Sequence, residues 1–76
     1  MKTIVVDEVF IKKDYVHVKL KDNENYEMIY RAAKKVYWDE STKSLYYKGK
    51  VPEEIALKFI CEAMENEYYT TLVFES

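Results

Sequence analysis

Residues 15–21, Tyr15-Val16-His17-Val18-Lys19-Leu20-Lys21, decide the fold of this 76-residue chain. Apolar and polar side chains alternate strictly along them, with Val16, Val18 and Leu20 on one face and Tyr15, His17 and Lys19 on the other. A period of two residues predicts a β-strand that has one face on a core. We therefore expect His17 to be exposed or to lie at the rim of the sheet.

The segment before this strand, residues 2–11, is apolar and β-branched, which predicts a first strand. Its alternation slips by one residue at Asp7-Glu8. The apolar side chains on the two sides of the slip have opposite phases, namely Ile4 and Val6 before it and Val9 and Ile11 after it. An extra residue of this kind predicts a β-bulge. Residues 12–14 then form the turn into the second strand.

Residues 26–35 fit two structures. Every second side chain alternates as in a strand: Tyr26, Met28, Tyr30, Ala32. Other apolar side chains have helical spacing: Ile29, Ala32, Ala33, Val36. We favour a strand that pairs with residues 15–21 through a hairpin, and a second helix capped by Asn23 or Asn25 is the alternative.

The second half of the chain predicts a hairpin, a helix and a last strand. Residues 36–38 and 45–48 flank a polar loop, and residues 68–74 are rich in tyrosine, threonine and valine. Between them, a helix over about 52–65 starts at Pro52. Its apolar stripe consists of Ile55, Phe59, Ile60, Ala63 and Met64, and its polar face of Glu54, Lys58, Glu62 and Glu65.

These elements predict one α+β domain over residues 1–76, with the order β-β-β-β-β-α-β. An amphipathic helix must bury its stripe against the sheet, so we expect a two-layer, mostly antiparallel arrangement. The other face of the sheet stays open, and tyrosines and lysines are there to cover it. The predicted core comprises Ile4, Val6, Val16, Val18, Leu20, Ile55, Phe59, Ile60, Ala63 and Leu72.

The composition combines eight tyrosines with a single glycine, cysteine and histidine. One glycine cannot build a loop that cradles phosphate, and one cysteine with one histidine cannot form a four-ligand zinc site. We therefore expect no catalytic residue, cofactor or metal, and we expect Cys61 to be a small buried hydrophobe. The short apolar run before Asp7 and the lone cysteine predict a cytoplasmic protein.

The predicted function is protein binding, because tyrosine and tryptophan are enriched in interface hot spots. The net charge of −2 divides into +3 over residues 1–50 and −5 over residues 51–76, so the helix offers an acidic surface to a basic or nucleic-acid-binding partner protein. Size, acidity and composition are typical of a bacterial or phage inhibitor or regulatory protein that blocks its partner. The candidate partner-binding residues are Tyr37, Trp38, Asp39, Glu40, Tyr46, Tyr47, Glu54, Glu62 and Glu65.

Two other modes of association stay open. The alternative function is single-stranded nucleic-acid binding on an open sheet face, where aromatic rings stack on bases and lysines hold phosphates. Its candidate residues are Tyr15, Lys19, Tyr30, Arg31, Lys35 and Lys48. In addition, the first or the last strand could pair as a sheet edge with a second copy and form a homodimer.

Overall fold

A five-stranded, mostly antiparallel sheet packed against one α-helix forms the fold, which confirms the predicted α+β class. The computed structural model describes residues 1–22, 24–32 and 35–75. The elements are β1 (Lys2–Lys12), β2 (Tyr15–Leu20), a 3-10 helix (Glu27–Arg31), β3 (Val36–Asp39), β4 (Ser44–Tyr47), α1 (Glu53–Tyr68) and β5 (Thr70–Val73). The strands and the α-helix therefore follow the order β-β-β-β-α-β, with one strand fewer than predicted.

The order of the strands across the sheet is β3-β4-β2-β1-β5. β1 runs parallel to β5, and the other neighbours are antiparallel. β1 is an interior strand, so the first of the two strands considered as candidate edges is excluded. Since β5 is an edge, the last strand remains the one of the two that has free backbone groups for pairing with a second copy.

A β-bulge interrupts β1 where the alternation of the sequence slips. Val6 pairs with Leu20 and Glu8 pairs with Lys19, which leaves Asp7 as the extra residue. The bulge brings the two phases of the strand onto one face, where Ile4 and Val6 are buried and Val9 packs against them. The predicted bulge is therefore confirmed. It forms because Asp7 is one residue too many between apolar side chains that must all face the core.

The strand predicted at residues 26–35 is wrong, because the described part of this stretch contains the 3-10 helix. In a 3-10 helix, side chains three residues apart share a face, and Tyr26 and Ile29 are both buried. Tyr26 and not Asn25 is the N-cap residue, although the side-chain oxygen of Asn25 accepts the N–H of Glu27 at 2.8 Å. Asn23, the other predicted cap, and residues 33–34 lie outside the described residues. β2 pairs with β4 instead.

The helix is confirmed, but it is longer than predicted, and its buried face includes Ile60, Ala63 and Met64 of the predicted stripe but not Ile55 or Phe59. It continues through residues 66–68, and Tyr69 ends it in the left-handed region at a φ of 51°. The last strand accordingly begins at Thr70, two residues later than predicted. The buried side chains are Ala56, Ile60, Ala63 and Met64. In the described ranges, no helix is long and apolar enough to cross a membrane.

Two predicted core residues on α1 lie at its margin. Ile55 is 40% exposed and Phe59 is 36% exposed, because the face of α1 that carries Ala56 and Ile60 is the one that packs on the sheet. Phe59 instead stacks on the ring of Tyr47, with ring centroids 5.2 Å apart. The other predicted core residues are buried. The structure adds Tyr26, Ile29, Val36, Leu45, Tyr47, Ala56 and Met64 to the core.

Gly49 leaves space for the ring of Tyr47. A Cβ atom at position 49 would lie 2.5 Å from Cε2 of that ring. Because Tyr47 is buried against Phe59, its ring has little freedom to move away. The single glycine of the chain is therefore explained by the close approach of its backbone to the ring of Tyr47, which ends β4 two residues earlier.

The β1–β2 turn uses two residues with positive φ, although neither is glycine. The φ angles of Lys13 and Asp14 are 52° and 70°, the pattern of a type I′ hairpin turn. The left-handed region costs an L-residue about 1–2 kcal/mol, and the extra freedom of an unfolded glycine costs about 0.5–1 kcal/mol. We therefore expect Asp14→Gly to raise the free energy of unfolding by roughly 0.5–1 kcal/mol, as measured by urea denaturation.

Asp14→Ala is the matched control, because it removes the same exposed side chain without relieving the backbone. It should leave stability unchanged or lower it. Equal stabilisation by both substitutions would show that the carboxylate of Asp14, not its backbone angle, is unfavourable.

Candidate functional site

A row of four aromatic side chains crosses the sheet face that α1 leaves open. Each ring comes from a different strand: Phe10 from β1, His17 from β2, Tyr46 from β4 and Tyr37 from β3. The residues are direct cross-strand partners, since Phe10 pairs with His17, His17 with Tyr46, and Tyr46 with Tyr37. We call these four side chains the aromatic row. The alternation of each strand places them together, because their neighbours in sequence point to the core.

The rings of the aromatic row stack on one another. Ring centroids of Phe10 and His17 are 5.0 Å apart, and those of His17 and Tyr46 are 4.9 Å apart, with interplanar angles of 19° and 16°. The ring of Tyr37 is tilted against that of Tyr46, with centroids 5.9 Å apart. Tyr15, which lies on the same face of the sheet, stacks on Tyr46 with a centroid distance of 6.1 Å. Rings that use their faces on each other present their edges and hydroxyl groups to solvent. The inner rings therefore have no free face.

His17 is 3% exposed, so the prediction of an exposed or rim histidine is wrong. Its two flanking rings, Phe10 and Tyr46, cover it on the face that was expected to be open. Its Nδ1 lies 2.9 Å from the hydroxyl of Ser44 and 3.8 Å from Oδ2 of Asp39. Burial lowers the pKa of His17 more than the nearby Asp39 carboxylate raises it. The imidazole is therefore neutral at neutral pH.

Asp39 is held in its ionised form at the end of β3. Its Oδ2 accepts a hydrogen bond from the Lys12 ammonium at 2.7 Å, and its Oδ1 accepts the N–H and hydroxyl of Ser41 at 3.0 and 2.7 Å. Burial alone would raise the pKa of Asp39, but the hydrogen bonds from Lys12, Ser41 and Thr42 outweigh it and hold the pKa well below its usual range. The ion pair joins the last residues of β1 and β3, next to the β1–β2 turn and the β3–β4 turn.

A pocket of about 240 Å³ lies on the open face between these two turns, and we call it the open-face pocket. Its rim and walls combine aromatic rings, lysines and carboxylates. The lining residues are Lys12, Lys13, Tyr15, His17, Trp38, Asp39, Glu40 and Tyr46. Four of these eight residues are charged, so the open-face pocket is more polar than the mostly apolar pockets that bind small molecules.

The buried histidine predicts an acid-sensitive fold. The pKa of His17 in the folded chain lies below its value of about 6.5 in the unfolded chain. At a pH between the two pKa values, the unfolded chain therefore binds more protons than the folded chain. The free energy of unfolding should therefore fall as the pH drops below about 6.5. His17→Phe keeps a ring in the aromatic row but has no titrating group, and should remove this dependence. Urea denaturation at about pH 7.5 and about pH 5 measures both proteins.

His17 is the single histidine of the chain, so no second imidazole contributes to this window. The low pKa of Asp39 affects the free energy of unfolding only at lower pH. Its stabilising contribution is lost only when the pH falls below the pKa of an aspartate in the unfolded chain. An equal loss of stability in the wild type and in His17→Phe would contradict the assignment.

The structure brings together five of the predicted partner-binding residues. Tyr37 and Tyr46 belong to the aromatic row, and Trp38, Asp39 and Glu40 surround the open-face pocket. Trp38 is half-buried. Its ring meets the ring of Tyr26 edge-on at 5.8 Å, and its Nε1–H is donated to Glu40 at 2.9 Å. This residue therefore joins the core to the pocket rim.

The remaining predicted partner-binding residues lie elsewhere. Tyr47 is buried on the helix-covered face, so its assignment to a binding surface is wrong: its strand neighbours point outward and it points to the core. Glu54, Glu62 and Glu65 are exposed on α1, in the layer opposite the aromatic row.

The residues predicted for nucleic-acid binding are also divided. Tyr15 and Lys19 lie on the open face, and the ammonium of Lys48 lies 5.9 Å from the ring centroid of Tyr37. Lys35 is exposed directly before β3. Tyr30 and Arg31 lie on the 3-10 helix, which packs against α1 and β3, and Arg31 faces Glu67 at 3.9 Å. These last two residues do not belong to the open face.

Sequence reasoning missed Phe10, Lys12, Lys13 and Ser44 as parts of this site. The predicted bulge was the signal that could have found Phe10, because it inverts the phase of β1 and moves residue 10 to the open face. The lysines of the turn gave no periodic signal.

Comparison with protein-family models, with curated proteins and with solved structures finds no match for this chain. Within the described ranges, no group of three or more His, Cys, Asp or Glu side chains is placed to hold a metal ion. Cys61 is half-buried against the core, and burial raises the pKa of its thiol, as for a packing residue.

Proposed function

We propose that this protein is a small non-catalytic binding module that recognises a partner protein with the open face of its sheet. The observation that supports the proposal is the aromatic row, which spans four strands and whose rings are stacked before any partner binds. Tyrosine and tryptophan supply large contact area with only two side-chain torsions to restrict. Rings that are already locked lose little further entropy on binding.

The chemistry of the face suits a protein surface. Tyr15, Tyr37 and Tyr46 offer apolar ring edges together with hydroxyl groups, the combination found in tyrosine-rich paratopes. The open-face pocket at one end of the row provides a concave position for an anchoring side chain. A module of this kind acts by covering a surface of its partner, so the proposal includes an inhibitory or regulatory role in the cytoplasm of a bacterium or of a phage-infected cell.

Affinity capture with a tagged protein tests the proposal. Tyr37 is 38% exposed at the end of the aromatic row, so Tyr37→Ala removes contact area with little disturbance of the core. Tyr30→Ala is the matched control, because Tyr30 is 54% exposed on the 3-10 helix, away from the open face. The wild type and Tyr30→Ala should retain a stoichiometric protein from nuclease-treated bacterial lysate. Tyr37→Ala should weaken binding to the purified partner roughly five- to thirty-fold.

Equal affinity of the two variants would remove the aromatic row from the interface. The acidic surface of α1 provides the competing explanation, and Glu62→Lys tests it in the same experiment. Because α1 lies in the opposite layer, we expect Glu62→Lys to bind normally. Loss of binding with Glu62→Lys and not with Tyr37→Ala would transfer the proposal to the acidic surface and to a basic partner.

Single-stranded nucleic-acid binding is the second candidate function. Lys12, Lys13, Lys19 and Lys48 surround the open face, and Tyr37 has one ring face that no aromatic neighbour covers. The inner rings oppose this function, since bases need free ring faces to stack. Capture that disappears after nuclease treatment, with salt-dependent binding to a single-stranded oligonucleotide, would favour it over protein binding.

A further inference from the structure

The open-face pocket contains two carboxylates, but both are already occupied by donors of the chain itself. The two oxygens of Asp39 accept hydrogen bonds from Lys12 and Ser41. One oxygen of Glu40 accepts the indole N–H of Trp38 and the amide of Asn25, at 2.9 and 3.0 Å, and the other is paired with Lys43. A ligand therefore meets carboxylates whose charge and lone pairs are largely satisfied.

The donors that line the same pocket are in the opposite situation. Within the described residues, the ammonium of Lys13 and the hydroxyls of Tyr15 and Tyr46 have no hydrogen-bond partner in the chain. Lys12 donates two of its three protons, to Asp39 and Ser41, and keeps one. The stacked rings add their edges, which carry the positive end of the aromatic quadrupole. The groups that remain to bind a ligand are therefore mostly donors and positive edges.

We propose that the open-face pocket binds the carboxylate of an acidic side chain, an aspartate or glutamate, on the partner protein. This inference rests on the proposed function and names the chemistry of the anchor. The volume of about 240 Å³ is smaller than the roughly 300–1,000 Å³ of pockets for drug-sized ligands, and it suits one side chain. The carboxylate would accept from Lys13 and from the tyrosine hydroxyls, while its methylene groups lie against the rings.

A nucleic acid fits the same pocket less well. Its bases would find the faces of His17 and Tyr46 occupied. A carboxylate avoids this difficulty, because it accepts hydrogen bonds from the donors of the pocket and needs no free ring face.

Titration of the isotope-labelled full chain with a capped hexaglutamate peptide tests the inference by NMR. We expect salt-sensitive shifts at Lys12, Lys13, Tyr15 and Tyr46, and none with a capped hexaglutamine peptide. Lys13→Gln should weaken the binding roughly two- to five-fold, the effect of one charge pair at an exposed site. Lys58→Gln removes an exposed lysine from α1, in the opposite layer, and should leave the binding unchanged.

Absence of shifts at the pocket with millimolar hexaglutamate would overturn the inference, and so would equal weakening by Lys13→Gln and Lys58→Gln. Tighter, salt-dependent binding of a thymidine oligonucleotide at the same residues would overturn it in favour of phosphate. If hexaglutamate fails while Tyr37→Ala still weakens partner binding, only the carboxylate inference falls. If hexaglutamate binds while Tyr37→Ala has no effect, the proposed interface falls and the pocket remains.

Discussion

Replacing Ile60 with alanine is expected to lower the free energy of unfolding by about 2–5 kcal/mol. Ile60 is fully buried in the middle of α1, where it packs on the sheet with Ala63 and Met64. Alanine is a better helix former than isoleucine, so the helix itself gains slightly and the loss comes from the core. Urea denaturation monitored by circular dichroism measures the change. Small domains have little stability to lose, so a change of this size would leave a substantial fraction of the molecules unfolded.

Phe59→Ala is the matched control, because it removes a larger side chain one position away. Phe59 is 36% exposed, and its ring stacks on Tyr47 at the margin of the helix. We expect a loss of about 1–2 kcal/mol, because the exposed part of the ring leaves no cavity. Sequence periodicity alone assigns Phe59 to the core and would expect the larger loss there. If Phe59→Ala proves more destabilising than Ile60→Ala, the orientation of α1 is wrong.

Tyr46→Ala is expected to have the second large effect, about 2–4 kcal/mol of unfolding free energy. Tyr46 is the only ring that contacts three other rings within the described part of the open face: His17, Tyr15 and Tyr37. Its removal also uncovers one side of His17, which is neutral and buried at neutral pH. We therefore expect the acid sensitivity due to His17 to weaken in the same variant, because water then reaches the imidazole.

Tyr46→Phe separates the ring from the hydroxyl. The stacking surface is retained, so stability should change by less than about 1 kcal/mol. If the hydroxyl binds a ligand carboxylate in the open-face pocket, Tyr46→Phe should still weaken hexaglutamate binding while the protein stays folded. A loss of stability equal to that of Tyr46→Ala would show that the hydroxyl, not the stacked ring, holds the face together.

The strands and the helix were predictable where one period dominates the sequence. The alternation over residues 15–20 identifies β2, and the phase slip at Asp7 identifies the bulge in β1. The polar loop of residues 39–44 and the strands that flank it identify the β3–β4 hairpin. Each of these signals is local, because the side chains that produce it are within a few residues of one another.

The errors lie where two periods overlap or where a neighbour in space decides. Residues 26–31 contain apolar side chains at both two- and three-residue spacing, and burial of Tyr26 and Ile29 against α1 and β3 selects the 3-10 helix. Ile55 and Phe59 fit the apolar stripe, but they lie at the margin of the helix–sheet contact, because Ala56 and Ile60 face the sheet. His17 has the phase of an exposed residue and becomes buried because Phe10 and Tyr46 cover it.

The sequence by itself determined the α+β class, the bulge and the presence of an open, tyrosine-rich sheet face, since these follow from periodicity along the chain. Only the tertiary structure decided which rings stack, why His17 is buried and where a pocket forms. The aromatic row takes one side chain from each of four strands, and Lys12 pairs with Asp39 across 27 positions of sequence. Such contacts depend on strand order and register, which no local pattern specifies.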